Sequence, residues 1–292
     1  MNADFTNPVV TRIAEVRLRV PDRAASRHFY SRIVGLDDTG MEDSPVLTGA
    51  HDSRLELLHD PGAKPQSRRA AGLFHIAFRY PTRGALAAAL RRLIEEKYPI
   101  QGAADHGVSE AIYLADPSGN GIELTCDRPP AEWPRSAAGV AMMTEPLDLD
   151  GLLAEPPDGA GRATERPGTS GSEERPDIGH IHLQVTDLAR SGRFYTGLVG
   201  LDVTQDDFPG ALFLAAQGYH HHVGLNVWNS RGGSPFQGEG LGLASFTIAL
   251  GSQDALDLVR ARASAQAVTP AADSPRRLDL TDPDGIRLSL VA

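Results

Sequence analysis

The chain has 292 residues, 41% hydrophobic and 23% charged, with a formal net charge of -10. That length holds one large or two ordinary domains, and the acidic balance argues against nucleic acid or an anionic membrane as partner, because phosphate binding needs clustered Lys and Arg. The single cysteine, Cys126, excludes an intramolecular disulfide and fits a reducing compartment.

MNADFTNPVV has neither the basic nor the apolar region of a secretory signal. No apolar run approaches the ~20 residues of a membrane span. A soluble, cytoplasmic protein is expected. The first strand is read at Val16-Leu18-Val20, which alternate with Glu15, Arg17 and Arg19. Asp22 is placed to cap the amphipathic helix that follows. Short strands come next, Leu55–His59 among them. A second unit opens on GLFHIAF at Gly72, with a helix from Thr82, a strand at Ala111–Leu114 and the closing run DPSGNGIEL. Residues 128–175 are rich in Pro, Gly, Glu and Ser, with one short helix expected at Leu147–Leu153, and read as a linker. Beyond it, GHIHLQV opens a third unit, Asp187 caps its helix, and YHHHVGLNVW follows. The loop Asn229–Gly240 reads as a lid or a surface excursion. GLASFTIAL, a helix from Ser252 and DPDGIRLSL complete a fourth unit.

The chain repeats itself. At a constant offset, Val20/Val185, Asp22/Asp187, Ser26/Ser191, Phe29/Phe194, Tyr30/Tyr195, Gly35/Gly200 and Leu36/Leu201 are identical. GLFHIAF matches GLASFTI, and DPSGNGIEL matches DPDGIRLSL. The domains are therefore drawn at 8–127 and 176–292, each of two βαβββ units. The expected class is α+β, with four units pairing into two cupped mixed sheets.

These VxDxxxSxxFYxxxxGL openers and DPxGNxIEL closers resemble the vicinal oxygen chelate superfamily. Its members include glyoxalase I, fosfomycin resistance proteins, bleomycin-binding proteins and extradiol dioxygenases. GLFHIAF, DHGVSEAIYLADPSGNGIEL, GHIHLQV and YHHHVGLN look most like the catechol-2,3-dioxygenase-like two-domain subgroup. The resemblance implies metal-ligand positions on the first strands, at Glu15, His75, His180 and Ser245, and on late strands, at Glu56, Glu123, His222 and Ser289. If each half pairs within itself, neither cup has a good ligand set. Pairing unit 2 with unit 3 gathers His75, Glu123, His180 and His222 in one cup and leaves Glu15, Glu56 and two serines in the other.

The implied protein is an Fe(II)-dependent extradiol-type dioxygenase, with Mn(II) as the alternative metal. Its ligands are His75, Glu123 and His180. Its substrates are a small catechol-like aromatic and O2. His222 is the implied acid/base, with His221 as the register alternative. His106 and Tyr113 are implied hydrogen-bond donors to substrate oxygen. Alternation on strands adds His182 and His220 as pocket-lining residues, and Trp228 is either a pocket wall or core. Structural readings stand beside these: Glu123 in a salt bridge, His106 in a turn, His182 packed against backbone, and Glu15, Arg17, Arg19 and Glu56 as salt bridges of the poor cup. A glyoxalase-like lyase or isomerase and a non-catalytic small-molecule-binding protein are the other two functional classes. A homo-oligomer is left open.

Overall fold

The VRLRV alternation becomes the central strand of a sheet. β1 (Val10–Val20) buries Val16, Leu18 and Val20 completely and leaves Arg17 and Arg19 half-buried on the other face. The computed structural model describes residues 10–40, 45–136, 139–156, 175–236 and 238–292. After β1, α1 (Arg23–His28) starts where Asp22 accepts a hydrogen bond from Ala25 N at 3.0 Å. A wide helical turn, Phe29–Val34, ends on Gly35 at φ +91°, and the equivalent turn of the third unit ends on Gly200 at φ +90°. Both lie in the left-handed region that favours glycine, which is why the two openers share this residue. β2 (Asp37–Asp38), β3 (Val46–Thr48) and β4 (Arg54–His59) complete the unit.

The second unit runs β5 (Gly72–Arg79), α2 (Arg83–Glu95), β6 (Ile100–Asp105), β7 (Ser109–Ala115) and β8 (Gly121–Asp127). Thr82 caps α2 through Ala85 N, as expected. The segment read as a linker is structured over its described part. It carries β9 (Arg135–Ser136), β10 (Gly139–Val140), β11 (Glu145–Pro146) and α3 (Leu149–Leu153). Its residues 137–138 and 157–174 lie outside the described residues. The third unit is β12 (Asp177–Gln184), α4 (Leu188–Phe194), β13 (Asp202–Gln205), β14 (Ala211–Ala215) and β15 (Val223–Asn226). The fourth is β16 (Gly242–Leu250), α5 (Gln253–Ala265), β17 (Ala272–Ser274), β18 (Arg277–Thr281) and β19 (Arg287–Val291). Asp187 and Ser252 cap α4 and α5.

The units pair across the halves. One sheet has the order β11-β6-β7-β8-β5-β12-β15-β14-β13, so units 2 and 3 meet where β5 runs antiparallel to β12. The other has the order β17-β18-β19-β16-β1-β4-β3-β2, so units 1 and 4 meet at β1 and β16. Both sheets are mixed: β5–β8, β12–β15, β1–β4 and β16–β19 are parallel pairs. One continuous apolar cluster joins the two sheets and their helices. Within each half, opener and closer are tied: Tyr30 OH donates to Asp116 Oδ2 at 2.8 Å, and Tyr195 OH to Asp282 Oδ2 at 3.2 Å. No described helix is long and apolar enough to cross a membrane.

Candidate metal centre and substrate cavity

The centre is built around Ala77. On one side Ala77 pairs with His180 of β12, and on the other with Glu123 of β8. Paired residues share a face of a sheet, and so do residues two apart along a strand. His75, Glu123 and His180 therefore project to one side, and His182, paired with His75, joins them. A bulge between Ile178 and His180 sets this up. It turns Ile178 into the core and His180 into the cup, although residues two apart on a regular strand share a face.

Glu123 Oε2 lies 3.0 Å from His75 Nε2 and 3.3 Å from His180 Nε2, and the two imidazole nitrogens are 3.2 Å apart. All three residues are buried. Bonds of about 2.1 Å to one ion place neighbouring octahedral donors about 3 Å apart, and opposite donors farther. All three separations are of the short kind, so the donors fit one triangular face. Two imidazoles and one carboxylate match the set used by non-haem iron sites with open positions. Burial alone would raise the Glu123 carboxyl, but His180 and His75 beside it hold it well below the usual carboxylate range. Burial lowers His180, which favours the neutral ligand form. Among the described residues this is the one group with metal-ligand geometry. In the other cup, Arg17 pairs with Glu56 at 2.6 Å and Arg54 approaches Glu15 at 3.9 Å.

A cavity of about 280 Å³ opens on the centre. His75 and Glu123 line it, together with His106, Tyr113, His182, His221 and Trp228. His106 stands in the turn after β6. Its Nδ1 is 2.6 Å from Met143 O, which can only accept, so Nδ1 carries the proton. With one proton on the ring, Nε2 accepts from Tyr113 OH at 2.6 Å. Burial and the nearby Glu123 raise the Tyr113 phenol well above its ordinary value, so it stays protonated. His182 is buried against Phe74, Phe213 and Trp228, and its Nε2 has no hydrogen-bond partner. Trp228 is a wall of the cavity, held by its indole N–H on Pro209 O at 2.8 Å.

The expected place of His222 is corrected. His221, not His222, lines the cavity, with its ring 4.0 Å from that of His180. His222 faces a separate cavity with Arg79, Trp133 and Tyr219, and its Nδ1 accepts from Ala216 N. Burial pushes it down to about 3. Alternation carried back from Gly224, which pairs with His182, would place His222 in the cup. But β15 begins only at Val223, and the turn before it uses left-handed Gln217 and Gly218, so strand alternation does not hold there. His220 is corrected for the same reason. It does not line the cavity; it sits behind His221.

That placement gives His220 a different task. Its Nε2 lies 3.0 Å from Asp127 Oδ1, and its Nδ1 lies 2.8 Å from His221 Nδ1. Burial would raise Asp127, but the hydrogen bond from His220, with Arg79 and Tyr219, lowers it, so it is ionised and accepts. With one proton on each ring, His220 donates to Asp127 and accepts from His221 Nδ1–H. His221 Nε2 is then left with its lone pair. Burial, then His180 and His220, lower His221 well below its ordinary value, which keeps it neutral. Asp127 is itself held by Tyr219 OH at 2.8 Å and Arg79 at 3.5 Å. Sequence reading missed Asp127, although Glu123, Thr125 and Asp127 alternate on one strand and the signal was there. It also missed Met142, Met143, Phe208 and Phe213 in the wall, which carry no local signature. No described residue of the loop Asn229–Gly240 lines the cavity; Phe236 of that loop is buried and its N–H binds Asp284 O.

The sequence profile of the glyoxalase/bleomycin resistance protein/dioxygenase superfamily matches residues 12–124 and 177–290. Over 258 residues the chain is 39% identical to a catechol-2,3-dioxygenase of Bacillus subtilis strain 168, covering 86% of this chain and 87% of that one. A biphenyl-2,3-diol 1,2-dioxygenase of Rhodococcus globerulus is 31% identical over 129 residues, 41% of this chain and 65% of the other. Among solved structures, glyoxalase I from Zea mays superposes with a TM-score of 0.59 at 15% identity, over 96% of this chain and 92% of that one. That likeness shows the fold alone.

Proposed function

The chain belongs to the glyoxalase/bleomycin resistance protein/dioxygenase superfamily, and from that premise we propose that it is an Fe(II)-dependent extradiol-type dioxygenase acting on a catechol-like aromatic. Mn(II) is the alternative metal, since the donor set serves both. One observation carries the reading: two histidines and a glutamate meet within bonding reach of one ion, beside a cavity that also receives His221, His106 and Tyr113. The likeness to a catechol-2,3-dioxygenase supports it.

His75, Glu123 and His180 would hold the ion, which supplies the redox contact between O2 and the aromatic substrate. All three donors come from the sheet, so the cavity side is left to the substrates. The chain does the rest. His221 Nε2, neutral and held by the His220–Asp127 pair, takes the proton of a catechol hydroxyl and returns it later. Positioned acid/base groups of this kind contribute roughly 10²–10⁴-fold. Tyr113 and His106 share one proton chain in which both hydrogens are already given, Tyr113 to His106 and His106 to Met143 O. The Tyr113 oxygen therefore accepts from a substrate hydroxyl, and neither residue is the donor expected from the sequence. Phe74, Phe213 and Trp228 exclude water from the ring. The test is oxygen uptake by the Fe(II)-loaded chain with substituted catechols, read with the visible absorbance of a ring-cleaved product. Uptake with that absorbance supports the reading. No uptake from iron-loaded, folded protein over a broad catechol series overturns it and favours a non-redox member of the superfamily.

A further inference from the structure

The cavity lining is of two kinds. Its ionisable groups are His75, Glu123, His106, Tyr113, His182 and His221. Its apolar wall is Val108, Met142, Met143, Phe208, Phe213 and Trp228, with Phe213 and Trp228 packed against His221 and His182, and Ser109 and Thr144 also line it. Met142, Met143 and Thr144 come from the described part of the segment that joins the halves. Resting on the dioxygenase reading, we infer that this segment is the specificity wall of the site, and that Met142 and Met143 select a catechol bearing an uncharged, apolar substituent.

The segment is tied to both sides of the cavity. On the unit 2 side, Met143 O accepts from His106 Nδ1 at 2.6 Å, and Met143 N donates to His106 O at 3.2 Å. On the unit 3 side, Gln205 brackets Met142: its Oε1 accepts from Met142 N at 3.0 Å and its Nε2 donates to Met142 O at 3.3 Å. Val140 and Met142 also pack in a small apolar cluster with Val108, Trp133 and Phe213. A segment fixed at both edges of a cavity is part of its shape, not a tether beside it. The His106 bond also links the wall to the polar groups, since a proton held on Nδ1 leaves Nε2 to accept from Tyr113.

Charge decides the substituent. No Arg or Lys is among the described residues that line the cavity. The nearby arginines are committed elsewhere: Arg128 to Asp105 and Glu110, Arg79 to Asp177 and Asp127. A carboxylate carried into this wall would lose its water with no cation to meet it, which is costly. An apolar substituent loses nothing there and gains burial. Methionine is unbranched and adaptable, so the wall accommodates flat or branched groups.

The test is binding, not turnover. Full-length protein, as purified and again after Fe(II) loading under argon, is titrated with 2-phenylphenol and with 3-(2-hydroxyphenyl)propanoate. Neither is a catechol, so the result stands whether or not catechols are cleaved. The signal is tryptophan fluorescence, with Trp228→Phe identifying the part that comes from the cavity. We expect 2-phenylphenol to bind on the order of 100-fold more tightly. Met142→Arg should cut that preference at least tenfold, while Met142→Leu keeps it and both variants melt within a few degrees of the wild type. Equal binding, tighter binding of the carboxylate, no saturable binding of 2-phenylphenol, or a preference unmoved by Met142→Arg would overturn the inference. Loss of iron or of oxygen uptake with an intact preference would count against the dioxygenase reading instead.

Discussion

His75 Nε2 lies 3.2 Å from His180 Nε2, although 105 residues separate them and they belong to different halves of the chain. The antiparallel pairing of β5 with β12 brings them together, and Glu123 closes the triangle from β8. The site therefore does not exist in either half alone.

Ala77 occupies the ground between the donors. It is fully buried and pairs with both His180 and Glu123. Ala77→Leu should abolish stoichiometric metal binding by filling that space. Overpacking of this kind costs typically about 1–3 kcal/mol, so the fold should survive. Metal analysis and thermal melting of the same sample check this. Ala77→Ser should retain metal.

The two neighbouring histidines should separate cleanly. His221→Asn removes the histidine that lines the cavity and is proposed as its base, and kcat should fall by roughly 10²–10⁴-fold. His222→Gln changes a residue in the other cavity and should leave kcat within a few-fold. Steady-state oxygen uptake on both variants decides, and equal losses would contradict the placement.

Asp127→Asn removes the anion that fixes the protons on His220 and His221. The rings can then settle with Nε2 of His221 protonated. An effect on the order of 100-fold in kcat is expected, with KM and metal content little changed. A loss confined to KM would show that Asp127 only shapes the cavity.

Asp282 gives a pH signature in stability. Burial, with Asp284 nearby, raises its carboxyl to about 6, although backbone N–H groups and Tyr195 work the other way. A carboxyl whose folded value is raised favours the protonated form, so its contribution is fullest at low pH and is lost as pH rises through about 4 to 6. The loss is about 3 kcal/mol on the linkage scale. Asp282→Asn keeps the acceptor for Asp284 and Ile286 N–H. Relative to wild type, that variant should therefore gain stability from pH 4 to pH 7, which denaturant melts at the two pH values would show.

Much of this was legible in the sequence, for physical reasons. The repeated openers and closers mark the units because each needs the same parts: an Asp cap, a left-handed glycine, and the Tyr–Asp bonds of Tyr30 to Asp116 and Tyr195 to Asp282. Ligand types pointed to pairing across the halves, since pairing unit 2 with unit 3 gathers His75, Glu123, His180 and His222 in one cup, whereas pairing within each half leaves neither cup a good set. The histidine run was not resolved, because Gly218 and Gln217 break the strand period just before it. The cavity wall was not legible either. Met142 and Met143 lie in a stretch without periodicity, and only the Gln205 and His106 hydrogen bonds bring them to the site. The bulge at Gly179 is also a tertiary fact, fixed by pairing with β5.

The measurement that bears most directly on a single centre shared by the halves is iron content after anaerobic Fe(II) loading. It compares the wild type with Glu123→Ala, His180→Ala and Glu56→Ala, all checked for folding. The account predicts one iron per chain in the wild type and in Glu56→Ala, and none in Glu123→Ala or His180→Ala. No iron in the folded wild type, or iron lost with Glu56→Ala and kept with His180→Ala, would contradict it.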